Sequence, residues 1–180
     1  MIGSGVAGRT VAKVCAHEGI NVAIADNREY GGTCANRGCD PKKIILGPTE
    51  IFEIANNLKG NGISSLPDLN WKNNQKFKKI FTDKVPAGTE NILKDLGVTL
   101  YHQSPRFLDK NSLSVEGKTI VFKKVVIATG QIPRRLNMEG AKFLYTSDYF
   151  FKLKKLPKDI VFIGAGYVGM ELANIAARYG

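Results

Sequence analysis

The chain has 180 residues, 43% hydrophobic and 23% charged, which describes one globular domain or one and part of another and excludes disorder, collagen and low complexity as global descriptions. Its 26 Lys and Arg against 16 Asp and Glu give a net charge of +10, suited to anionic partners, but the lysines are scattered and read mainly as a solvated exterior. No apolar run approaches the roughly 20 residues of a membrane span, no leader opens the chain, and three cysteines are too few for a secreted disulfide framework, so the expectation is a cytoplasmic protein without a membrane.

Residues 2–26 read as strand, glycine turn, helix and strand. Gly3, Gly5 and Gly8 open a helix with apolar positions at Val6, Val11, Val14 and Cys15, and Gly19 ends it. Residues 21–26 read as a strand that is apolar between Asn21 and Asp26, as a buried parallel strand requires. Residues 27–40 read as a glycine-rich loop entering a helix that runs to about Leu58. A polar connection follows, then a lysine-rich helical stretch over residues 71–96 that Pro86 and Gly88 interrupt. Residues 98–122 read as short strands with turns at 109–111 and 116–117. Residues 124–129 read as another buried strand closed by Gly130. A linker with Pro133, Arg134 and Arg135 leads to a strand at 159–163, a second glycine loop with Gly164, Gly166 and Gly169, and a helix to Tyr179.

The strand–GxGxxG–helix unit therefore occurs twice. Gly3 permits the tight turn, Gly5 lets backbone approach a pyrophosphate, and Gly8 lets helix and strand pack closely. The helix N-terminus offers unpaired N–H groups and a positive dipole end to phosphates. Asp26, 18 residues after Gly8, is placed to accept from ribose hydroxyls. A glycine-rich structural turn is the alternative. The first strand keeps only Met1 and Ile2, and the second unit stops before the strand that would complete it, so a fragment is expected.

Cys34 and Cys39 have four residues between them, after Gly31 and Gly32. At a helix start this places the side chains about one turn apart, near enough to bridge, and a helix N-terminus favours thiolate, the nucleophile of disulfide exchange. Two inert core thiols are the alternative. A metal site is not expected, since Cys15, His17 and His102 lack zinc-site spacing. No recognition motif or aromatic-interleaved basic stripe points to nucleic acid.

The segment from Gly31 through Cys34, Cys39 and Pro41 to Lys43 resembles the redox signature of the class I flavin disulfide reductases, the pyridine nucleotide-disulfide oxidoreductases. Residues 128–133 resemble their ATG motif, and residues 146–148 and 164–171 the entry and loop of their nicotinamide domain. The resemblance covers essentially the whole chain. It implies an α/β fold: an incomplete, Rossmann-like, doubly wound FAD-binding domain over residues 1–150, then the start of a second Rossmann-like NAD(P)-binding domain over 151–180. By the same resemblance Cys34 is the interchange thiol and Cys39 the charge-transfer thiol. Lys43 is the lysine near flavin N5, Glu171 its ion-pair partner, and Tyr167 the aromatic gate. The FAD contacts fall on Gly3, Ser4, Gly5, Val6, Ala7, Gly8, Asp26, Asn27, Gly32, Thr33, Lys43, Ala128, Thr129 and Gly130, and the NAD(P)H loop on Gly164, Gly166 and Gly169. Asp26 stands where Glu is more usual. Asp40 replaces an apolar residue and puts a negative charge beside Cys39.

The implied reaction passes electrons from NAD(P)H through FAD to the Cys34–Cys39 disulfide and on to a small disulfide, or runs in reverse on a dithiol. Lys42, Lys43 and the segment 144–148 resemble glutathione reductase most. Dihydrolipoamide dehydrogenase, mercuric reductase and a non-catalytic flavin-binding fragment are the alternatives. The full-length protein is expected to be a homodimer. The family's second FAD segment and its catalytic His–Glu pair have no counterpart here, so the 180-residue chain is expected to be inactive and to hold FAD poorly.

Overall fold

The computed structural model describes residues 1–179; Gly180, the end of the expected nicotinamide-domain segment, lies outside the described residues. Two compact units form, Met1–Asn36 with Asp83–Ile132, and Arg37–Thr82 with Pro133–Gly180. They cut across the division at residue 150 drawn from chain order.

In the first unit, helix α1 (Val6–His17) connects Ile2 to strand β1 (Ala23–Ala25), the expected βαβ beginning. β1 pairs in parallel with β2 (Thr99–Tyr101), Ala23 opposite Thr99 and Ala25 opposite Tyr101. Ile2 bridges Ala25 on one side and Ile127 on the other, both in parallel. The resulting order, β2, β1, Ile2, Ile127, is that of a Rossmann-like parallel sheet. α1 buries Gly8 and Ala12, with Cys15 and Ala16 packed on the same core as Val22, Ile24, Tyr30, Leu93 and Val98. Val6, Val11 and Val14 are exposed instead, because small side chains are what allow the helix to approach the strands.

Helix α2 (Gly32–Arg37) starts earlier than the sequence suggests, and Gly38, at φ −136° and ψ −114°, breaks it from α3 (Cys39–Asn57). The expected helical stretch 71–96 divides into α4 (Trp71–Thr82) and α5 (Val85–Asp95), with Pro86 in the first turn of α5, where its missing N–H costs nothing. β3 (Arg106–Phe107), β4 (Ser112–Val115) and β5 (Lys118–Val121) form an antiparallel sheet. Its hairpin turns on Glu116 and Gly117, both at positive φ.

Two expected buried strands do not form among the described residues. Over 124–129 only Ile127 makes a bridge, and its side chain is 64% exposed, because Ile2 is its one strand partner. Residues 159–163 have no strand partner either and stay irregular. Their alternation survives: Ile160 and Phe162 pack on a core, while Val161 and Ile163 face outward.

That core belongs to the second unit, where Ile45 of α3, Trp71 of α4, Phe150 of α6 (Ser147–Phe150), Phe151, and Leu172 and Ile175 of α7 (Tyr167–Arg178) come together. The Trp71 indole donates to the Leu153 carbonyl at 2.8 Å. α4 is turned polar side in: Asn74, Gln75, Lys78 and Thr82 are buried, while Phe77, Ile80 and Phe81 are exposed. Lys78 donates to Gln75 Oε1 at 2.7 Å and to the Phe151 carbonyl. Lys78→Met is expected to cost about 1–3 kcal/mol, since it strands two buried acceptors. Phe77→Ser is expected to cost less than about 0.5 kcal/mol, the usual range at a surface position. Urea denaturation of both variants checks the contrast.

Candidate functional site

The first glycine loop is built by contacts that only glycine allows. Gly3 has φ +101°, and a Cβ on it would overlap the Ala128 carbonyl; a Cβ on Gly8 would overlap the Gly3 carbonyl. Gly3 N–H donates to the Ala25 carbonyl at 2.8 Å, anchoring the loop on β1. Gly32, at φ +73°, sits so close to Gly5 that a Cβ would collide with its Cα. The loop, Gly32 and Ala128 therefore converge in one unit. Gly5 caps α1 without a side-chain hydrogen bond, and Val6 and Ala7 are exposed in the first turn. No side chain caps this helix start and its first turn is exposed, so the residues fit a dinucleotide pyrophosphate.

Asp26, at the end of β1, accepts from Ser4 N–H at 2.8 Å and Ser4 Oγ at 2.6 Å on one oxygen, and from Arg28 N–H at 3.0 Å on the other. Asn27 and Thr33 are exposed beside these segments in sequence, and Thr129 and Gly130 are exposed after Ala128. Beneath the loop, the buried Tyr30 hydroxyl donates to the Tyr101 carbonyl at 2.8 Å. Burial pushes this phenol far above its ordinary range, with the Tyr101 hydrogen bond opposing, so it remains a donor.

Cys34 is half-buried within α2, and Cys39 is exposed at the first position of α3. The spacing places the two cysteines near enough to bridge, and no disulfide joins them in this structure. The boundary between the two units falls between Asn36 and Arg37, so each cysteine belongs to a different unit. Asp40 is exposed in the first turn of α3, where its charge complements the helix dipole.

The ion pair expected between Lys43 and Glu171 is made by Lys42 instead. α3 buries Pro41, Ile45 and Thr49. Lys42 adjoins that stripe with 15% of its side chain exposed and reaches Glu171 of α7, whereas Lys43, a further 100° round the helix, is exposed. Lys42 Nζ also lies 5.8 Å from the centre of the Tyr167 ring. Thus Tyr167, Glu171 and one lysine do meet, by the neighbouring residue. A double-mutant cycle is expected to give a coupling of roughly 0.5–1 kcal/mol for Lys42→Met with Glu171→Gln, reduced by partial exposure, and none for Lys43→Met with Glu171→Gln. Stability measured by chemical denaturation reads it.

The second glycine loop repeats the first. Gly164 has φ +105°, a Cβ on Gly169 would lie 2.8 Å from the Gly164 carbonyl, and Gly166 caps α7 without a side-chain hydrogen bond. Arg37, missed by the sequence reading, is buried beside Asp148, with Nε 3.8 Å from the carboxylate. Their separation of more than a hundred residues left no sequence signal. Among the described residues no helix is long and apolar enough to cross a membrane.

A parallel sheet with a glycine cradle and a second such loop is the arrangement of a Rossmann-like fold of the dinucleotide-binding class. The chain belongs to the pyridine nucleotide-disulphide oxidoreductase family, whose model matches residues 1–180. This family uses FAD and NAD(P)H. Similar proteins include dihydrolipoyl dehydrogenase of Mycoplasma genitalium, 30% identical over 188 residues, covering all of this chain and 41% of the relative. Another is dihydrolipoyl dehydrogenase of Staphylococcus aureus, 33% identical over 186 residues, covering all of this chain and 40% of the relative. The solved structure of the HOCl-induced flavoprotein disulfide reductase RclA from Escherichia coli is 27% identical with a TM-score of 0.83, over 99% of this chain and 39% of that one. The chain thus spans about two fifths of the length of the relatives it matches.

Proposed function

We propose that this chain is the flavin-binding and dithiol-bearing part of an FAD-dependent disulfide oxidoreductase, taking electrons from NAD(P)H and exchanging them with a small disulfide or dithiol. The observation that supports it most is the pairing of a dinucleotide cradle, Gly3 to Gly8 with Gly32, with the Cys34 and Cys39 segment that follows directly in the chain. FAD, when bound, supplies the hydride-accepting ring between nicotinamide and thiols. The chain's own residues do the rest. The uncapped first turn of α1 receives phosphate, and Lys42, held by Glu171, supplies a fixed cation three residues from Cys39.

Exchange follows thiol chemistry. Cys34 thiolate attacks one sulfur of the substrate, its S–S bond breaks, and one substrate thiolate leaves. Cys39 thiolate then attacks the Cys34 sulfur, the mixed disulfide breaks, and the second thiolate leaves as the Cys34–Cys39 bond forms. Two electrons pass from the dithiol to the substrate. The division at residue 150 into flavin and nicotinamide segments, the homodimer and a cytoplasmic location belong to this reading.

For the substrate, Lys42 with Lys43 and the segment 144–148 support a glutathione-type disulfide, whereas the relatives named dihydrolipoyl dehydrogenase favour a dithiol of the lipoamide type. The test measures NADH and NADPH oxidation by the full-length protein with oxidised glutathione and with lipoamide. Turnover with either names the substrate class. A protein that binds FAD yet turns over neither, with both cysteines intact, is the non-catalytic flavin-binding alternative and ends the proposal. For the 180-residue chain alone, weak FAD binding and no turnover are expected.

A further inference from the structure

Asp26 holds the position that would grip a ribose, but its carboxylate is already engaged from within. Ser4 is fully buried and spends both its donors on one oxygen of Asp26, the amide at 2.8 Å and the hydroxyl at 2.6 Å. The other oxygen accepts Arg28 N–H at 3.0 Å. A carboxylate has about four acceptor positions. Three are used by the protein, two of them by a residue inside the glycine loop itself.

The loop needs such a tie. Gly3, on one side of Ser4, is at φ +101°, a conformation held by contacts rather than by preference. Gly5, on the other side, is the residue whose backbone meets Gly32. Ser4 thus joins the two constrained glycines, and the bond to Asp26 fixes it to the end of β1. The short side chain of Asp suits this role, because its carboxylate stays close to the strand end, within reach of the loop.

We propose that Ser4 is a positioning residue of the dinucleotide loop, and that the Ser4–Asp26 pair is an internal clamp which sets the loop for the pyrophosphate, leaving one acceptor position of Asp26 for a ribose hydroxyl. The inference rests on the flavin reading above, but the clamp has its own readout in the flavin-free chain.

The experiment uses Ser4→Ala, Asp26→Ala and the double variant in the full-length protein, each shown to be folded by circular dichroism. FAD binding is followed by flavin fluorescence, and exchange of the loop amides 4–8 by NMR without flavin. A clamp requires that Ser4→Ala weaken FAD by roughly tenfold, the size of one hydrogen bond to a charged group. It also requires that the double variant be no weaker than Asp26→Ala, and that amides 4–8 exchange faster in both single variants. If Asp26 serves only the ribose, removing the Ser4 hydroxyl releases an acceptor position, and Ser4→Ala binds FAD as tightly as the parent or more tightly. That result overturns the clamp. If the full-length parent shows no FAD binding, the flavin reading fails, and exchange alone decides: unchanged protection in Ser4→Ala ends the proposal, and lost protection sustains it.

Discussion

Gly8→Ala is expected to destabilise the first unit by about 3 kcal/mol, a large share of the 5–15 kcal/mol that holds a typical domain. Adding one methyl sets a Cβ against the Gly3 carbonyl and within 3.4 Å of the Ala128 side chain. None of these atoms is the flexible end of a long side chain, so α1 itself must move away from the strands. Gly3→Ala adds a positive-φ cost of about 1–3 kcal/mol to an overlap with the Ala128 carbonyl, and the two together are expected to leave the unit unfolded. Gly88→Ala is the control. Gly88 lies inside α5 of the same unit with open space around it, and alanine there is expected to stabilise by about 0.5–1 kcal/mol. Thermal and urea denaturation with a tryptophan-independent probe is needed, because Trp71 reports only the second unit. A Gly8→Ala chain as stable as the parent would show the loop to be looser than drawn.

Cys39→Ser is expected to trap substrate. Cys34 of that variant attacks oxidised glutathione and stops at the mixed disulfide, because the resolving thiol is gone. Intact mass shows one glutathione retained per chain, removed by added reductant. Cys34→Ser is expected to form no Cys39–Cys34 disulfide and to lose the two-thiol reaction, with the exposed Cys39 reacting only as a single thiol. The parent chain passes through the adduct about a hundredfold or more faster, since resolution from a nearby residue outruns that by dilute external thiol. Cys15, half-buried on α1, serves as the internal background and is replaced by serine in all three chains. Equal glutathione retention by the parent and Cys39→Ser would remove Cys39 from the exchange step.

Much of the site could be read along the chain because its chemistry is local. A turn that demands positive φ writes glycine at 3 and 164, a close approach writes glycine at 8 and 169, and a redox pair writes two cysteines at fixed spacing. These are short-range constraints, and they resolve into the family to which the chain belongs. The choice between Lys42 and Lys43 was not legible. Adjacent lysines are equivalent in sequence, and only the buried stripe Pro41, Ile45 and Thr49 decides which of them turns toward α7.

Amino-acid order by itself determined the glycine loops, the cysteine segment and the parallel βαβ opening, each set by backbone conformation over a few residues. Tertiary structure alone decided which apolar segments became strands. Residues 124–129 and 159–163 are richer in β-branched residues than 23–25, yet only the last gains a ladder, because a strand exists through a neighbour's hydrogen bonds. It also decided that α4 turns Asn74, Gln75 and Lys78 inward, where the Phe151 carbonyl and the side-chain amide of Gln75 satisfy the lysine, and that Ser4 spends its donors on Asp26. The Ser4–Asp26 and Lys78–Phe151 pairings reach partners 22 and 73 residues away, and no local pattern encodes a partner at that distance.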